Sequence, residues 1–344
     1  MAALKLHFGV LHYQPKGEPV DPVVEHVAQA LRELGHTTAL IGVHEKVADV
    51  LSQIEAAKVD LVFNVCETFA DDYRLEVNVA ALMELAKVPF TGSGTTGLLL
   101  AQDKTLAKQL LEYHEVVTPR FATFDGETFE TNGRMGFPLI VKPARSDASI
   151  GIGRHSVVTN WDELTQRVRD IRKELNDEAL AEEFIDGREV YVGVVGPTRR
   201  PEILPIVELN FGNWDTKVPK VSDRAVKFGP VSEGSPQLEI ATNLTPEQIA
   251  RIERSALLAY RALKIRDYAR IDFRIDQRTG EPYVLEVNPN PYLESESELA
   301  MAAEERGISY TQLIGRIIDS ACLRHALKKE REVSAPSERS AARA

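Results

Sequence analysis

The chain has 344 residues, with 43% hydrophobic and 27% charged side chains, a globular balance that suggests two or three domains. Its 41 lysines and arginines against 52 aspartates and glutamates leave a formal charge of −11. Such an acidic chain gains nothing from counterion release on a nucleic-acid backbone, so no nucleic-acid partner is expected, and bound phosphate must be met by a local basic pocket. Only Cys66 and Cys322 are present, which excludes a disulfide framework and a cysteine-based zinc site and fits a cytoplasmic location. The amino-terminal stretch is too polar after Tyr13 for a signal peptide, and no apolar run reaches the ~18 residues of a membrane span. The tail from Lys328 is polar and without aromatics, and is expected to be disordered.

The first hundred residues alternate strand and helix patterns. Leu4–Leu11 is an apolar strand, Asp21–Leu34 an amphipathic helix ending at Gly35, and Thr37–Val43 a second strand. Val47–Ala57 is a helix, Asp60–Val65 a buried strand, Leu75–Ala86 a helix and Val88–Thr91 a short strand. This order predicts an open parallel sheet with helices on its faces. A helix follows at Lys104–His114, then a strand at Val117–Phe124, a strand at Gly136–Pro143, a small-residue loop and a helix at Glu163–Leu175. Asp186-Gly187 carries a strong hairpin signal. Beyond Ile203 come strands, a long polar segment over Asn210–Glu239, and a helix opened by Thr245-Pro246 with Glu247 behind it.

The segment Ala269–Asn290, ARIDFRIDQRTGEPYVLEVNPN, concentrates the chemistry. Two β-rich runs flank a turn centred on Thr279, and pairing about that centre sets Asp272 opposite Glu286 and Arg270 opposite Asn288. Side chains alternate along a strand, so these four share one face while Ile271, Phe273, Leu285 and Val287 fill the other. Directly opposed residues have Cβ atoms ~5 Å apart, close enough for two carboxylates to repel unless a cation intervenes. Aspartate, glutamate and asparagine together form an all-oxygen set suited to magnesium (Mg2+) with phosphate oxygens. A solvated hairpin face with an incidental Arg–Asp pair is the plainer alternative; the apolar opposite face and the adjacent guanidinium favour the metal.

This hairpin resembles the metal-binding hairpin of ATP-grasp ligases, and is most similar to that of D-alanine–D-alanine ligases. The resemblance implies an α/β (α+β ATP-grasp) chain, with an amino-terminal open parallel α/β domain at 1–100 and two α+β subdomains, 101–186 and 187–326, that clasp ATP, before a tail at 327–344. It implies that Asp272, Glu286 and Asn288 hold two magnesium ions, with manganese (Mn2+) as a substitute. Arg270 would steady the transferred phosphoryl group and the tetrahedral intermediate. Lys104, in AQDKTLAKQLL, resembles the family's nucleotide-site lysine at the start of the central domain, and Lys142, ending the strand FPLIVKPA, would reach the nucleotide phosphates. The loop ARSDASIGIG would close over the nucleotide, with Ser149 near the substrate. In ALAEEFIDGREVYV, Glu182, Glu183 and the backbone at Ile185 would face adenine, and Glu189 would accept from the ribose. The implied substrates are amino acids or peptides, and a homodimer is the assembly such a resemblance allows.

Gly92, Gly94 and Gly97 form a literal G-x-G-x-x-G, which makes an NAD-dependent oxidoreductase the rival. That fingerprint belongs to a first βαβ unit, whereas this one follows at least three strands, and the resemblance implies a Y/F-T-G-S linker between the first two domains instead. A nucleotide-binding protein without ligase activity is a third reading, disfavoured by the intact acid pair. The resemblance also has gaps. The family's G-G-x-S-x-E element is absent, with Glu18 and Glu25 as weak substitutes, and its G-E-D-G region corresponds loosely to a stretch holding Glu67, Asp71 and Asp72. The family's lysine–tyrosine pair has no clean match, leaving Lys217, Lys220 or Lys227 as the loop cation. Its S-P-G segment becomes Asn290-Pro291-Tyr292-Leu293-Glu294-Ser295, with Glu296 following. Carboxylates there imply an amine acceptor that is cationic or larger than D-alanine, unless Glu294 and Glu296 merely complement the dipole of the next helix.

Overall fold

The structure is a computed structural model that describes residues 5–125, 129–131, 133–146, 151–212, 219–222, 226 and 235–327. Residues 147–150 of the expected loop Ala144–Gly153, Ser149 among them, fall outside the described residues, as do Lys217, Lys227 and the tail beyond 327.

Strands β1 (His7–Tyr13), β2 (Thr37–Val43) and β3 (Leu61–Asn64) form a parallel sheet in the order β2-β1-β3. Helix α1 (Pro22–Glu33) starts where Asp21 accepts a hydrogen bond from the Val23 N–H and proline occupies the first turn, so donors without intrahelical partners are satisfied or absent. Helices α2 (Val47–Ala57) and α3 (Glu76–Leu85) complete the alternation, with a 3-10 turn at Tyr73–Leu75 before α3. The expected strand at Val88–Thr91 is reduced to a single parallel bridge between Val62 and Phe90. Strand β1 also sits later than the apolar run suggests, because His12 and Tyr13 continue the pairing to Gly42 and Val43.

Helices α4 (Thr95–Gln102) and α5 (Lys104–Tyr113) lead into a sheet of β4 (Phe121–Phe124), β5 (Phe129–Thr131), β6 (Leu139–Pro143), β7 (Val157–Val158) and β8 (Ala179–Glu183), ordered β5-β4-β8-β6-β7. Leu139, Val141, Ala179 and Ala181 pack with Leu164 and Ile171 of α6 (Trp161–Leu175) in one apolar cluster. Alternation turns Ile140, Lys142, Leu180 and Glu182 to the other face.

A second antiparallel sheet contains β9 (Gly187–Val195), β10 (Glu202–Asn210), β11 (Gln237–Ile240), β12 (Tyr268–Asp276) and β13 (Pro282–Asn288), ordered β11-β10-β9-β12-β13. Strands β8 and β9 therefore belong to different sheets, and Asp186-Gly187 is a crossing between them, not the turn of a hairpin. Glycine is required there by close approach: a Cβ at Gly187 would lie 1.9 Å from the Ile275 carbonyl oxygen. Helix α7 (Pro246–Ala262) begins in a capping box between Thr245 and Gln248. Its Ile252, Ala256 and Ala259 pack on Val190, Val192, Ile271 and Phe273. Each fully buried valine, isoleucine or phenylalanine of this set contributes ~1.5–3 kcal/mol, which fixes the sheet face and hence the opposite, polar face.

The β12–β13 register is the expected one at its open end, with Arg270 opposite Asn288 and Asp272 opposite Glu286. It shifts between Asp272 and Phe273, where Phe273 pairs with Val284. Leu285 is thereby displaced from the core position expected of it, and the fully buried Val284 takes its place. Helices α8 (Glu298–Glu305) and α9 (Tyr310–Arg324) follow, and α9 packs along α1.

Candidate active site

Two polar sheet faces carry the candidate side chains. On the β9–β12–β13 face, register aligns Asp272 with Tyr191 and Arg274 with Glu189. Arg270 clamps Asp272 with two hydrogen bonds, Nε to Oδ1 at 2.8 Å and Nη2 to Oδ2 at 3.0 Å, and reaches Glu298 at 3.3 Å. Its guanidinium stands 5.2 Å above the Tyr191 ring. Burial opposes its charge, but Asp272 and Glu298 outweigh this and hold Arg270 well above the ordinary arginine range. Tyr191 is pushed up by burial and by the carboxylates of Glu189 and Asp272, so its hydroxyl stays a donor to Glu189 at 2.8 Å. Glu189 is held on its other oxygen by Arg274 at 2.6 Å.

On the β6–β8 face, Glu182 is buried between two lysines. Its Oε1 lies 2.7 Å from Lys108 Nζ and its Oε2 lies 2.9 Å from Lys142 Nζ. Burial works against the carboxylate, yet the two ammonium groups prevail and hold Glu182 below the usual range. Glu183 points elsewhere: Arg120 at 2.8 Å and the Gly136 N–H at 3.2 Å hold its carboxylate. Ile185 is buried, and Lys104 donates to the Ser146 carbonyl at 2.7 Å. Lys220, the described member of the loop-cation group, lies 5.8 Å from the Phe211 ring centre, and its carbonyl accepts from Arg274.

A cavity of about 1010 Å³ opens beside the hairpin, lined by Arg270, Glu286 and Asn288 from the sheet and by residues of the amino-terminal half and α8. Asp272 and Glu286 face each other across neighbouring strands, with Asn288 two residues along the same side. This all-oxygen donor set fits magnesium and not a thiolate- or imidazole-seeking ion. Among the described residues no group of three or more histidine, cysteine, aspartate or glutamate side chains is gathered for a metal, so the asparagine is needed to complete the set.

The glycine-rich segment does not offer a phosphate cradle. The Gly92 N–H donates to Asp267 at 2.9 Å, the Thr95 hydroxyl donates to Glu84 at 2.7 Å, and a Cβ at Gly94 would fall 1.7 Å from Arg266. Carboxylates occupy the positions a pyrophosphate would need.

A family model described as the D-ala D-ala ligase C-terminus matches residues 109–319. The chain belongs to the D-alanine–D-alanine ligase family. It is an ATP-dependent ligase most similar to the D-alanine–D-alanine ligases. The Bordetella petrii D-alanine–D-alanine ligase is 32% identical over 306 residues, covering 87% of this chain and 87% of that protein. The uncharacterised y4sG protein of Sinorhizobium fredii is 33% identical over 322 residues, covering 91% and 92%. Among solved structures, the Bacillus anthracis D-alanine–D-alanine ligase complexed with ATP superposes with a TM-score of 0.70 at 22% identity, covering 94% of this chain and 99% of that one. The VanG D-Ala:D-Ser ligase of Enterococcus faecalis gives 0.69 at 20% identity, covering 92% and 100%. The ATP-grasp fold is thus shared. Among the described residues no helix is long and apolar enough to cross a membrane.

Several residues of this ligase family member escaped the sequence reading. Arg274 continues the i, i+2 alternation from Arg270 and Asp272, so the signal was present in the strand period. Tyr191 stands in the same relation to Glu189. Lys108 is one helical turn beyond Lys104, but its burial beside Glu182 depends on how α5 docks on the sheet. Asn290 accepts from Tyr268 at 2.6 Å and donates to Glu76 at 2.8 Å, joining the hairpin to the amino-terminal half across the cavity.

Proposed function

We propose that the chain joins a carboxylate to an amine by way of an acyl phosphate, and that the amine acceptor carries positive charge. The first half rests on the family and on the polar face of β12 and β13. ATP phosphorylates the carboxylate, and the amine then displaces phosphate to give an amide, ADP and phosphate. Asp272, Glu286 and Asn288 would hold magnesium, which supplies charge neutralisation on the phosphoryl oxygens. Arg270, kept cationic and fixed by Asp272 and Glu298, stabilises the negative charge that develops at the reacting centre. Lys142 reaches the nucleotide phosphates, Glu182 and the backbone from Glu183 to Ile185 meet adenine, Glu189 accepts from the ribose, and Ser149 is the loop residue that the resemblance sets near the substrate.

One observation carries the second half. Besides Glu286 and Glu298, the described lining of the cavity contains Glu67, Asp71, Glu76, Glu294, Glu296 and Glu304, against the single cation Arg270. A second carboxylate brought to ~4 Å of one of these meets a repulsion of ~1 kcal/mol even at the dielectric of water. A factor of ten in affinity is about 1.4 kcal/mol, so two such contacts move preference away from a plain D-alanine acceptor. Glu296 is exposed, as expected of an acid ahead of a helix, whereas Glu294 is half-buried beside His26 at 3.3 Å. The test is phosphate release with ATP and magnesium across donor and acceptor pairs, comparing D-alanine with lysine-like and amine-only acceptors. Faster turnover with cationic acceptors, reduced in Glu294→Gln, supports the reading; efficient D-Ala–D-Ala synthesis unaffected by that change overturns it.

A further inference from the structure

We propose that Lys108 is a positioning residue for the nucleotide, acting through Glu182 to keep Lys142 available to phosphate. The inference rests on the nucleotide site described above and assigns a part to a residue outside it. Lys108 lies on α5 with 1% of its side chain exposed, and its ammonium is 2.7 Å from Glu182 Oε1. The other oxygen of the same carboxylate is 2.9 Å from Lys142, whose side chain is 7% exposed at the end of β6. Lys142 and Glu182 are diagonal neighbours on paired strands, since Lys142 pairs with Leu180 and Ile140 with Glu182.

Two ammonium groups share one carboxylate at ion-pair distance, and Glu286 acts on Lys108 more weakly than Glu182 does, so an excess of positive charge sits away from water. That surplus belongs to Lys142, the better exposed of the two, and an arriving phosphate supplies its counter-charge. Lys142 can leave Glu182 for phosphate only if Glu182 keeps another counterion, because a buried carboxylate without a partner either takes up a proton or recaptures its neighbour. Lys108 is that counterion. It is too deeply enclosed to meet solvent-borne ligand itself, and burial together with the like charge of Lys142 pulls its own pKa down, opposed by Glu182. With Lys108 in place Glu182 remains a carboxylate able to accept from an amino group on the base.

The test uses the full chain and reads ADP affinity by calorimetry separately from kcat at saturating ATP, with thermal melting to check folding. Lys108→Met is expected to weaken ADP binding about tenfold, the effect of losing one charged contact, while kcat changes less than about threefold. The double variant Lys108→Met/Glu182→Gln is expected to bind ADP as Glu182→Gln alone does, because Lys108 acts only through Glu182. An unchanged ADP affinity in a folded Lys108→Met overturns the proposal, as does a double variant about tenfold weaker than Glu182→Gln. If Lys108→Met alone does not fold, the double variant, which removes both buried charges, still decides by the same comparison. A wild type that does not bind ADP removes the nucleotide reading itself, which is a different failure from normal ADP binding that ignores Lys108.

Discussion

Asp272 and Glu286 are directly opposed on β12 and β13, immediately before the register shift that drives Leu285 out of line. The two acids share one side of the sheet, with Glu286 lining the cavity, while Phe273 and Val284 close the core behind them. They differ in one respect, since Asp272 is also the anchor of Arg270. Glu286→Gln should therefore fold normally and lose turnover by more than about 100-fold at limiting magnesium, beyond what an outer-shell partner of a metal costs. Asp272→Asn should lose at least as much and melt lower, because a buried guanidinium loses its charged partner. The two together should cost much less than the product of the separate losses. Near-normal turnover of Glu286→Gln in a magnesium titration would remove the metal assignment.

Nucleotide preference separates the ligase from the dehydrogenase reading without any turnover. ATP with magnesium should raise the melting temperature, since a ligand at 100 times its dissociation constant stabilises by ~2.7 kcal/mol. NAD and NADP should leave it unchanged, because Asp267 and Glu84 already take the donors around Gly92 and Thr95. Stabilisation by NAD alone would reverse the conclusion.

Asp267 ties distant parts of the chain together. It is 1% exposed and accepts from the Gly92 N–H at 2.9 Å, Ser320 Oγ at 2.7 Å and Arg324 Nη2 at 2.6 Å, while its own carbonyl accepts from the Gly196 N–H. Asp267→Ala should destabilise by about 3 kcal/mol, the lower part of the range for a broken buried pair, because Arg324 keeps some contact with water. Denaturant unfolding measures this, and a loss under about 1 kcal/mol would mean that the junction between the amino-terminal half and α9 does not depend on this residue.

How far the site could be read in advance depended on how local its determinants are. The pairing of Arg270, Asp272, Glu286 and Asn288 needs only a strand period of two and a turn centre at Thr279, and both are written within about twenty residues. Asp186-Gly187 misled for the same reason. A dipeptide that favours a tight turn carries no information about which sheet the next strand joins, and the close passage of Ile275 over Gly187 is set by chain far away in sequence. Lys108 was invisible because a lysine on an amphipathic helix is ordinarily at the surface, and only the docking of α5 against β8 buries it. The acids around the cavity come from the amino-terminal half, the Asn290–Glu298 segment and α8, so their convergence is a property of the assembled fold.

Cys66 should be inert in the folded protein. It is fully buried, its thiol donates to the Thr68 carbonyl, and burial pushes its pKa up to about 12. A thiol that is hardly ionised at pH 8 and closed to solvent reacts slowly. An aromatic disulfide reagent should therefore label neither Cys66 nor the equally buried Cys322 until denaturant is added. Rapid native labelling of Cys66 would show that the pocket under Phe69 and Met83 opens readily.

Stability should fall as the solution is acidified, and histidines should be responsible for the first stage. His12 is pulled below the ordinary histidine value of 6.5 by burial, and His325 by burial and by the positive charge of Arg324. A histidine whose folded pKa is depressed binds fewer protons in the native state than in the unfolded chain. Its contribution is therefore present above the unfolded value and is lost as pH falls from there toward the folded one. The slope is about 1.4 kcal/mol per pH unit for each such group while that window lasts. A second stage follows lower, where Asp276, held down by hydrogen bonds from Thr279 and Arg278 that outweigh its desolvation, and Asp72, held down by Arg74, must take up protons. Because those carboxylates have depressed folded values, their stabilisation disappears only as pH drops below about 4. His325→Gln should remove its own share of the first stage, leaving that of His12, and leave the second unchanged. Denaturant midpoints measured at intervals from pH 8 to pH 3 check this, and an unaltered slope between pH 7 and pH 5 in the variant would show that the proton uptake lies at another group.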